Sequence, residues 1–186
     1  MIYPVVAYGD PILKRVAKDY SKEELENIGE LIDSMFETMG GASGVGLAGP
    51  QIGIGKRIFV IDSNLMIDEE SEEKGYKGAF INAEIIEEFG EDVSFDEGCL
   101  SIPGVNGDVI RPEGIIIKYL DDELNEREEE FTGMTARVIQ HEYDHIEGIL
   151  FTDHLSPIKK RLIKGKLNNI TKGKVAHGYR MRFPKK

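Results

Sequence analysis

Residues 140–148, QHEYDHIEG, carry the spacing HExxH. His141 and His145 stand four positions apart, which places both imidazoles on one face of a helix, one turn apart. Glu142 directly follows the first histidine and brings a carboxylate beside the pair. Catalytic zinc-type sites usually have three protein ligands and one open position. The motif therefore predicts a metal centre whose third ligand lies elsewhere in the chain.

The third ligand is not supplied by the usual downstream positions. One class of metalloprotease extends the motif to HExxHxxGxxH, and here Gly148 is present but Phe151 stands where the last histidine should be. Another class uses a downstream glutamate, and no glutamate follows Glu147. No motif favours any of the remaining downstream candidates as the third ligand; they are Asp153, His154 and His177.

The single cysteine, Cys99, is the upstream candidate. It lies in DEGCLSIPG, residues 96–104, where the preceding glycine and the following proline suggest a strand end or turn. A Cys/His/His set gives a tetrahedral site with one vacancy for water. The plain alternatives are a buried small hydrophobic residue for Cys99 and a solvent-exposed helix face for the two histidines. A bare HExxH also occurs by chance.

Length and composition indicate an ordinary globular protein. The chain has 186 residues, 40% hydrophobic and 31% charged, which predicts one domain over residues 1–186. It has no apolar run long enough to span a membrane, and its N-terminus does not resemble a signal peptide. One cysteine allows no intrachain disulfide, so we expect a reducing, cytoplasmic setting.

Charge is distributed unevenly along the chain. The formal net charge is −11, yet residues 154–186 contain eleven Lys/Arg and no Asp/Glu. An acidic body followed by a basic C-terminal segment favours a polyanionic partner such as RNA.

Hydrophobic periodicity predicts an α+β fold. We expect short mixed or antiparallel strands around a central HExxH helix, with one N-terminal and one C-terminal helix. The predicted helices cover residues 22–39 after a Ser21/Glu24 capping box, 135–146, and 156–170. We expect the apolar side of the last helix to dock on the body; its apolar positions are Ile158, Leu162, Ile163 and Leu167. The other predicted segments are a Gly-rich loop at 40–55, a strand at 56–62, an exposed acidic loop at 66–78, short strands and turns at 79–104, a hairpin of 114–121 and 127–133, and a C-terminal edge strand within 178–186.

Three motifs in this order resemble the peptide deformylase family. GVGLAGPQ (44–51), EGCLS (97–101) and QHEYDHIEG correspond to the family's GxGxAAPQ, EGCLS and QHExDHLxG, and the start YGDPILKRVA (8–17) is also similar. Gly49 replaces the usual second alanine, from which we expect a looser loop. Ile146 replaces a leucine, which should preserve packing.

The resemblance implies a metal-dependent amide hydrolase that removes the formyl group from N-terminal formylmethionine of newly synthesised proteins. It implies metal ligation by Cys99, His141 and His145, with Fe²⁺ as the natural metal and Zn²⁺, Ni²⁺ or Co²⁺ as alternatives. Glu142 would act as general base and then as acid. The Gln51 amide and the Leu100 backbone N–H would donate hydrogen bonds to the oxyanion.

The sequence also offers candidates for the substrate side of the site. Gly44 and Gly46 would let the peptide backbone approach closely and pair as an added strand. We expect the methionine pocket to be formed by Val45, Met134 and Val138, although plain core positions are the alternative for the two helix residues. Glu97 and Arg111 are expected to form a buried pair that braces the site. Nascent peptides are the implied partners, with ribosomal RNA contact by the basic C-terminal segment.

Two other functions remain open from the sequence. A metallopeptidase is the enzymatic alternative, weakened by the missing third histidine and glutamate. A basic-tailed RNA-binding protein with a structural metal is the non-enzymatic one, and such a site would be closed by four protein ligands.

Overall fold

A computed structural model describes residues 1–68, 71 and 73–184 of the chain. In this described part, five strands form an antiparallel sheet in the order β2-β3-β4-β5-β6, and two short strands pair in parallel as β1-β7. The α+β class is confirmed. The strands are β1 Val5–Val6, β2 Gly46–Ala48, β3 Ile58–Asp62, β4 Lys77–Gly98, β5 Asn106–Leu120, β6 Glu126–Thr132 and β7 Met181–Arg182; the helices are α1 Ile28–Gly41, α2 Gly133–Ile146, α3 Phe151–His154 and α4 Pro157–Thr171.

The central helix α2 carries HExxH and packs on the sheet. Its apolar residues Val138, Ile139 and Ile146 share a buried cluster with Phe59 of β3 and Ile117 of β5. Because side chains alternate between the faces of a strand, alternate β5 residues reach this cluster. The helix begins two residues before the predicted start at 135 and ends at the predicted Ile146.

Residues 79–104 differ from the prediction of short strands and turns. Residues 77–98 form one strand, β4, that stays paired with β5 through register shifts at Ile81/Glu84, Ile85/Glu87 and Phe89/Asp92. Such bulges absorb extra residues and bend a strand without ending its pairing. Glycine and polar residues that indicated turns in the sequence therefore lie within a continuous strand, which ends just before Cys99.

The first helix is shorter than predicted. Residues 23–25 form a separate 3₁₀ turn, and α1 begins only at Ile28. The Ser21 N–H donates to Glu24 Oε2 at 2.8 Å, so the capping signal belongs to that turn and not to α1. The helix still buries its predicted apolar face, including Ile32, Met35 and Met39.

The strand at 58–62 and the β5–β6 hairpin are confirmed. In the hairpin turn, Asp121 Oδ1 accepts hydrogen bonds from the backbone N–H groups of Glu123 at 3.0 Å and Asn125 at 2.8 Å. Residues 69, 70 and 72 of the predicted acidic loop lie outside the described residues. Among the described residues, no helix is both long and apolar enough to cross a membrane.

The C-terminal helix α4 begins and ends one residue later than predicted, and only part of its apolar surface docks on the body. Ser156 Oγ accepts from the Lys159 N–H at 3.3 Å and caps the helix. Ile163 is buried and Leu167 packs against the same cluster, whereas Ile158 is 75% and Leu162 74% exposed. The prediction that these two residues dock was wrong, because only one stripe of the helix faces the body.

Beyond α4 the chain returns to the body. The predicted C-terminal strand is confirmed as β7, although it pairs with β1 and not with the main sheet. Residues 185–186, the end of that prediction, lie outside the described residues.

Candidate active site

Three potential metal ligands converge where α2 meets the end of β4. The ring centroids of His141 and His145 are 5.2 Å apart, and Cys99 Sγ lies 3.3 Å from His145 Nε2. One ligand atom from each of Cys99, His141 and His145 lies within 4.8 Å of the others. A thiolate and two imidazoles are donors suited to a divalent transition metal, so this cluster fits a metal with a vacant position.

The downstream candidates are engaged elsewhere. His154 Nε2 lies 2.8 Å from Asp144 Oδ2, and Asp153 pairs with Lys14. His177 Nδ1 donates to the Tyr179 carbonyl at 2.8 Å. The structure therefore places Cys99, and none of these three, beside the histidines.

A buried ion network orients His141. His141 Nδ1 lies 2.9 Å from Glu97 Oε2. Since a carboxylate oxygen only accepts, the Nδ1–H is the donor, and Nε2 is left free for a metal. Arg111 donates to both Glu97 oxygens at 2.7 and 3.0 Å, and Arg137 adds a bond at 3.1 Å. The predicted Glu97–Arg111 pair is thus confirmed. Burial acts to raise the pKa of Glu97, but the hydrogen bonds from His141 and Arg111 hold it well below its usual range.

Two further groups in the site have shifted pKa values. Burial raises the pKa of Glu142 to about 7, and Glu142 Oε2 has no hydrogen-bond partner among the described residues. Burial also acts to raise the pKa of Cys99, but the charge of His145 and hydrogen bonds from both histidines outweigh it and lower that pKa to about 5. The site thus combines a thiolate with a carboxyl group able to exchange a proton near neutral pH.

The Gly-rich segment brings Gln51 to the cluster. Gln51 Oε1 accepts from the Ala48 N–H at 2.8 Å, so its Nε2 points towards Cys99 Sγ and Ser101 Oγ, each at 3.4 Å. Glycine is required at position 46, because a Cβ there would lie 2.3 Å from Glu142 Oε1.

Gly49, from which we expected a looser loop, lies in a tight turn. A Cβ at that position would lie 2.9 Å from the Lys56 carbonyl oxygen. The turn is therefore already closely packed around the glycine.

A cleft of about 520 Å³ opens onto these groups. The predicted site residues that line it are Gly44, Val45, Gly46, Gln51, Cys99, Leu100, Val138, His141 and Glu142. Met134 is not among the described lining residues, and it lies half-buried in the first turn of α2. His145 is 1% exposed and sits behind the cleft wall.

Sequence reasoning missed several lining residues. Ile102 and Pro103 follow the cysteine motif, and their proximity to Cys99 in the sequence was an available signal. Residues 176–179 have no motif, and the sequence predicted only a possible ligand at His177 and an edge strand from residue 178, yet they form part of the cleft wall.

Comparisons with known proteins agree with this geometry. The sequence model described as polypeptide deformylase matches residues 2–161. A peptide deformylase of Cytophaga hutchinsonii is 57% identical over 184 residues, covering 99% of this chain and 98% of that protein. The peptide deformylase structure from Thermus thermophilus has a TM-score of 0.80 and 38% identity, covering 93% of this chain and 99% of that one. The one from Ehrlichia chaffeensis has a TM-score of 0.82 and 33% identity, with 93% and 98% covered.

The sheet packed on an HExxH helix, with a thiolate beside the two imidazoles, defines a metal-dependent amide hydrolase. The chain belongs to the polypeptide deformylase family. Its activity is removal of the formyl group from N-terminal formylmethionine of newly synthesised proteins.

Proposed function

We propose that Cys99, His141 and His145 hold one divalent metal, Fe²⁺ in the cell, and that deformylation takes place in the cleft beside them. The convergence of these three donors at the cleft carries the proposal. Such a metal, when bound, supplies Lewis acidity and lowers the pKa of a water molecule. The thiolate suits a borderline-soft metal, so Zn²⁺, Ni²⁺ or Co²⁺ would also fit. The choice of Fe²⁺ rests on the family resemblance.

Glu142 is the proposed general base and acid. It is adjacent to His141 in the chain, and its buried carboxylate borders the cleft. A pKa of about 7 suits a group that accepts a proton from water and then delivers it to the leaving amine, because such transfers are most efficient near the operating pH.

Gln51 and Leu100 are the proposed hydrogen-bond donors to the formyl oxygen. The Gln51 amide is oriented by the Ala48 N–H, and Leu100 directly follows Cys99 at the cleft. Preorganised donors of this kind stabilise the charge that develops on the oxygen in the transition state, typically by about 3–4 kcal/mol each.

The peptide would bind along β2. This strand lies at one end of the described sheet order, and Gly44, Val45 and Gly46 line the cleft beside it. An extended peptide can add to such an edge through main-chain hydrogen bonds. Val45 and Val138 offer apolar surface for the methionine side chain. We do not extend this role to Met134, which lies outside the described lining.

One assay tests the proposed function against its alternatives. Formyl-Met-Ala-Ser should release formate, while acetyl-Met-Ala-Ser and unmodified Met-Ala-Ser should remain intact. Cleavage of the Met-Ala bond would instead indicate a metallopeptidase, and no turnover at full metal loading would favour a structural metal. Metal analysis of protein purified without oxygen would identify the bound ion, and a metal other than iron would contradict the Fe²⁺ proposal.

We also propose that the enzyme acts in the cytoplasm as one catalytic domain over residues 1–186. The cleft wall formed by residues 176–179 supports the inclusion of the C-terminal segment in that domain. The exposed basic residues of α4 support a contact with ribosomal RNA, since phosphate groups attract clustered Lys and Arg.

A further inference from the structure

The C-terminal strap, residues 172–184, lies beyond the region that the family model matches. It leaves α4, passes the cleft at residues 176–179, and ends in β7. Backbone bonds hold it to the N-terminus: the Val5 N–H donates to the Arg180 carbonyl at 2.8 Å and the Ala7 N–H to the Arg182 carbonyl at 2.9 Å. The strap is therefore anchored independently of any side chain in the cleft.

Tyr179 joins the strap to the loop that follows Cys99. Its hydroxyl donates to the Leu100 carbonyl oxygen at 2.7 Å, across 79 residues of sequence. The Tyr179 ring is half-buried and lines the cleft. The next residue of the loop is also held, because the Tyr8 N–H donates to the Ser101 carbonyl at 2.8 Å.

Leu100 is also in contact with the Gly-rich segment. Its side chain lies so close to Gly44 that a Cβ there would be 2.7 Å from Leu100 Cδ1. The Leu100 carbonyl is thus fixed by Tyr179 and its side chain by the surface at Gly44. The Leu100 N–H belongs to the preceding peptide unit, whose Cys99 carbonyl accepts a hydrogen bond from the Ile102 N–H at 2.9 Å. Tyr179 therefore acts on that N–H through the position of the Leu100 Cα, which the two peptide units share.

We propose that Tyr179 is a positioning residue that holds Leu100 so that its N–H points at the reacting oxygen. This inference rests on the proposed donor role of Leu100. Loss of the hydroxyl frees the peptide unit between Leu100 and Ser101, so the Leu100 Cα and the N–H next to it are held less firmly. The transition state then loses part of a preorganised donor while substrate binding is retained. The strap in this way contributes a residue to the active site.

The test compares Tyr179→Phe with wild type at equal metal content on formyl-Met-Ala-Ser. We expect kcat to fall up to about tenfold, the effect of losing one neutral hydrogen bond. The dissociation constant of the product Met-Ala-Ser should change less than about twofold, since only a transition-state interaction is weakened. Tyr20→Phe, the same change at a residue outside the described cleft lining, is the matched control and should keep wild-type kcat.

A rescue separates positioning from mere structural support. Site-specific 3-fluorotyrosine at position 179 keeps the ring and hydroxyl and should restore kcat. Wild-type kcat in Tyr179→Phe would contradict the proposal, and so would product binding that is weakened as much as kcat. Loss of metal or fold in the variant, or failure of the rescue, would also contradict it. An inactive wild type would instead overturn the proposed function, so the two failures are distinguishable.

Discussion

Glu142 combines two properties that rarely occur together in a stable protein. Its side chain is 4% exposed, and one of its oxygens lacks a hydrogen-bond partner among the described residues. Burying such a group costs stability, so its position is explained by chemistry and not by folding.

Glu142→Ala should therefore lose nearly all hydrolysis while retaining metal and fold. We expect its melting temperature to equal or exceed that of wild type, because an uncompensated buried carboxylate is removed. Formate release, metal analysis and thermal unfolding measure the three properties. Retention of more than about a tenth of kcat, a change under about 1.4 kcal/mol, would exclude the general-base role. Glu142→Gln, which keeps the shape, controls for the cavity.

At the scale of the elements, one ion network ties β4, β5 and α2 together. Arg111 of β5 contacts Glu97 of β4 and also donates to Asp144 of α2 at 2.8 Å. Breaking a buried pair from one side leaves an uncompensated charge and costs about 3–5 kcal/mol. The same network also orients His141.

Arg111→Ala should lower the free energy of unfolding by about 3 kcal/mol in metal-free protein. Lys118→Ala is the control, since Lys118 and Glu128 are 54% and 57% exposed and such surface pairs contribute about 0–1 kcal/mol. Urea unfolding of both variants measures the difference. Equal effects at the two sites would show that the network contributes no more than a surface pair.

The helix α4 presents cations and apolar side chains on one outward surface. Its basic residues are accompanied by exposed Ile158 and Leu162, which do not dock on the body as the periodicity suggested. A surface that combines cations with apolar side chains suits a partner that has both phosphates and apolar groups. It is less typical of a helix face that contacts only solvent.

Charge reversal on α4 should weaken ribosome cosedimentation and leave turnover of short formyl-peptides unchanged. Wild-type binding should fall steeply with salt, because phosphate contacts release counterions. The reversed residues are Lys159, Lys160, Arg161 and Lys164.

The matched control reverses four basic residues of the body: Arg15, Lys18, Lys22 and Lys74, which are all exposed or partly exposed. It should retain binding if α4 makes the contact. Unaffected cosedimentation after the α4 reversals, or no wild-type binding at low salt, would leave α4 as a solvated face.

At the scale of the whole molecule, the proposed metal ligands link α2 to the segment that follows β4. A ligand that binds only the folded state stabilises it in proportion to the logarithm of its concentration over Kd. Metal binding at this site should therefore raise the free energy of unfolding of the protein.

Chelation should abolish deformylation and lower the melting temperature, and restored metal should reverse both effects. At a metal concentration about 100 times Kd, the expected stabilisation is about 2.7 kcal/mol. Glu142→Ala should show the same metal-dependent shift, since it keeps the three donors, whereas Cys99→Ala should show a smaller one. A melting temperature that does not respond to metal in wild type would contradict ligation by this cluster.

The sequence by itself determined which residues are available for the proposed chemistry of the site. Metal ligation requires particular atoms, and helical spacing brings His141 and His145 together without help from the rest of the fold. Cys99 and Gln51 could be assigned because they lie in motifs that resemble a known family. Helix α2 and the β5–β6 hairpin were also predictable, because caps, turns and periodicity are local signals.

Only the tertiary structure decided which surfaces meet. The continuity of β4 depends on pairing with β5, which absorbs bulges that look like turns in the sequence. The exposure of Ile158 and Leu162 depends on which stripe of α4 faces the body. The bond from Tyr179 to Leu100 joins residues 79 positions apart. Such contacts form when distant segments pack together, and they leave no periodic pattern in either segment.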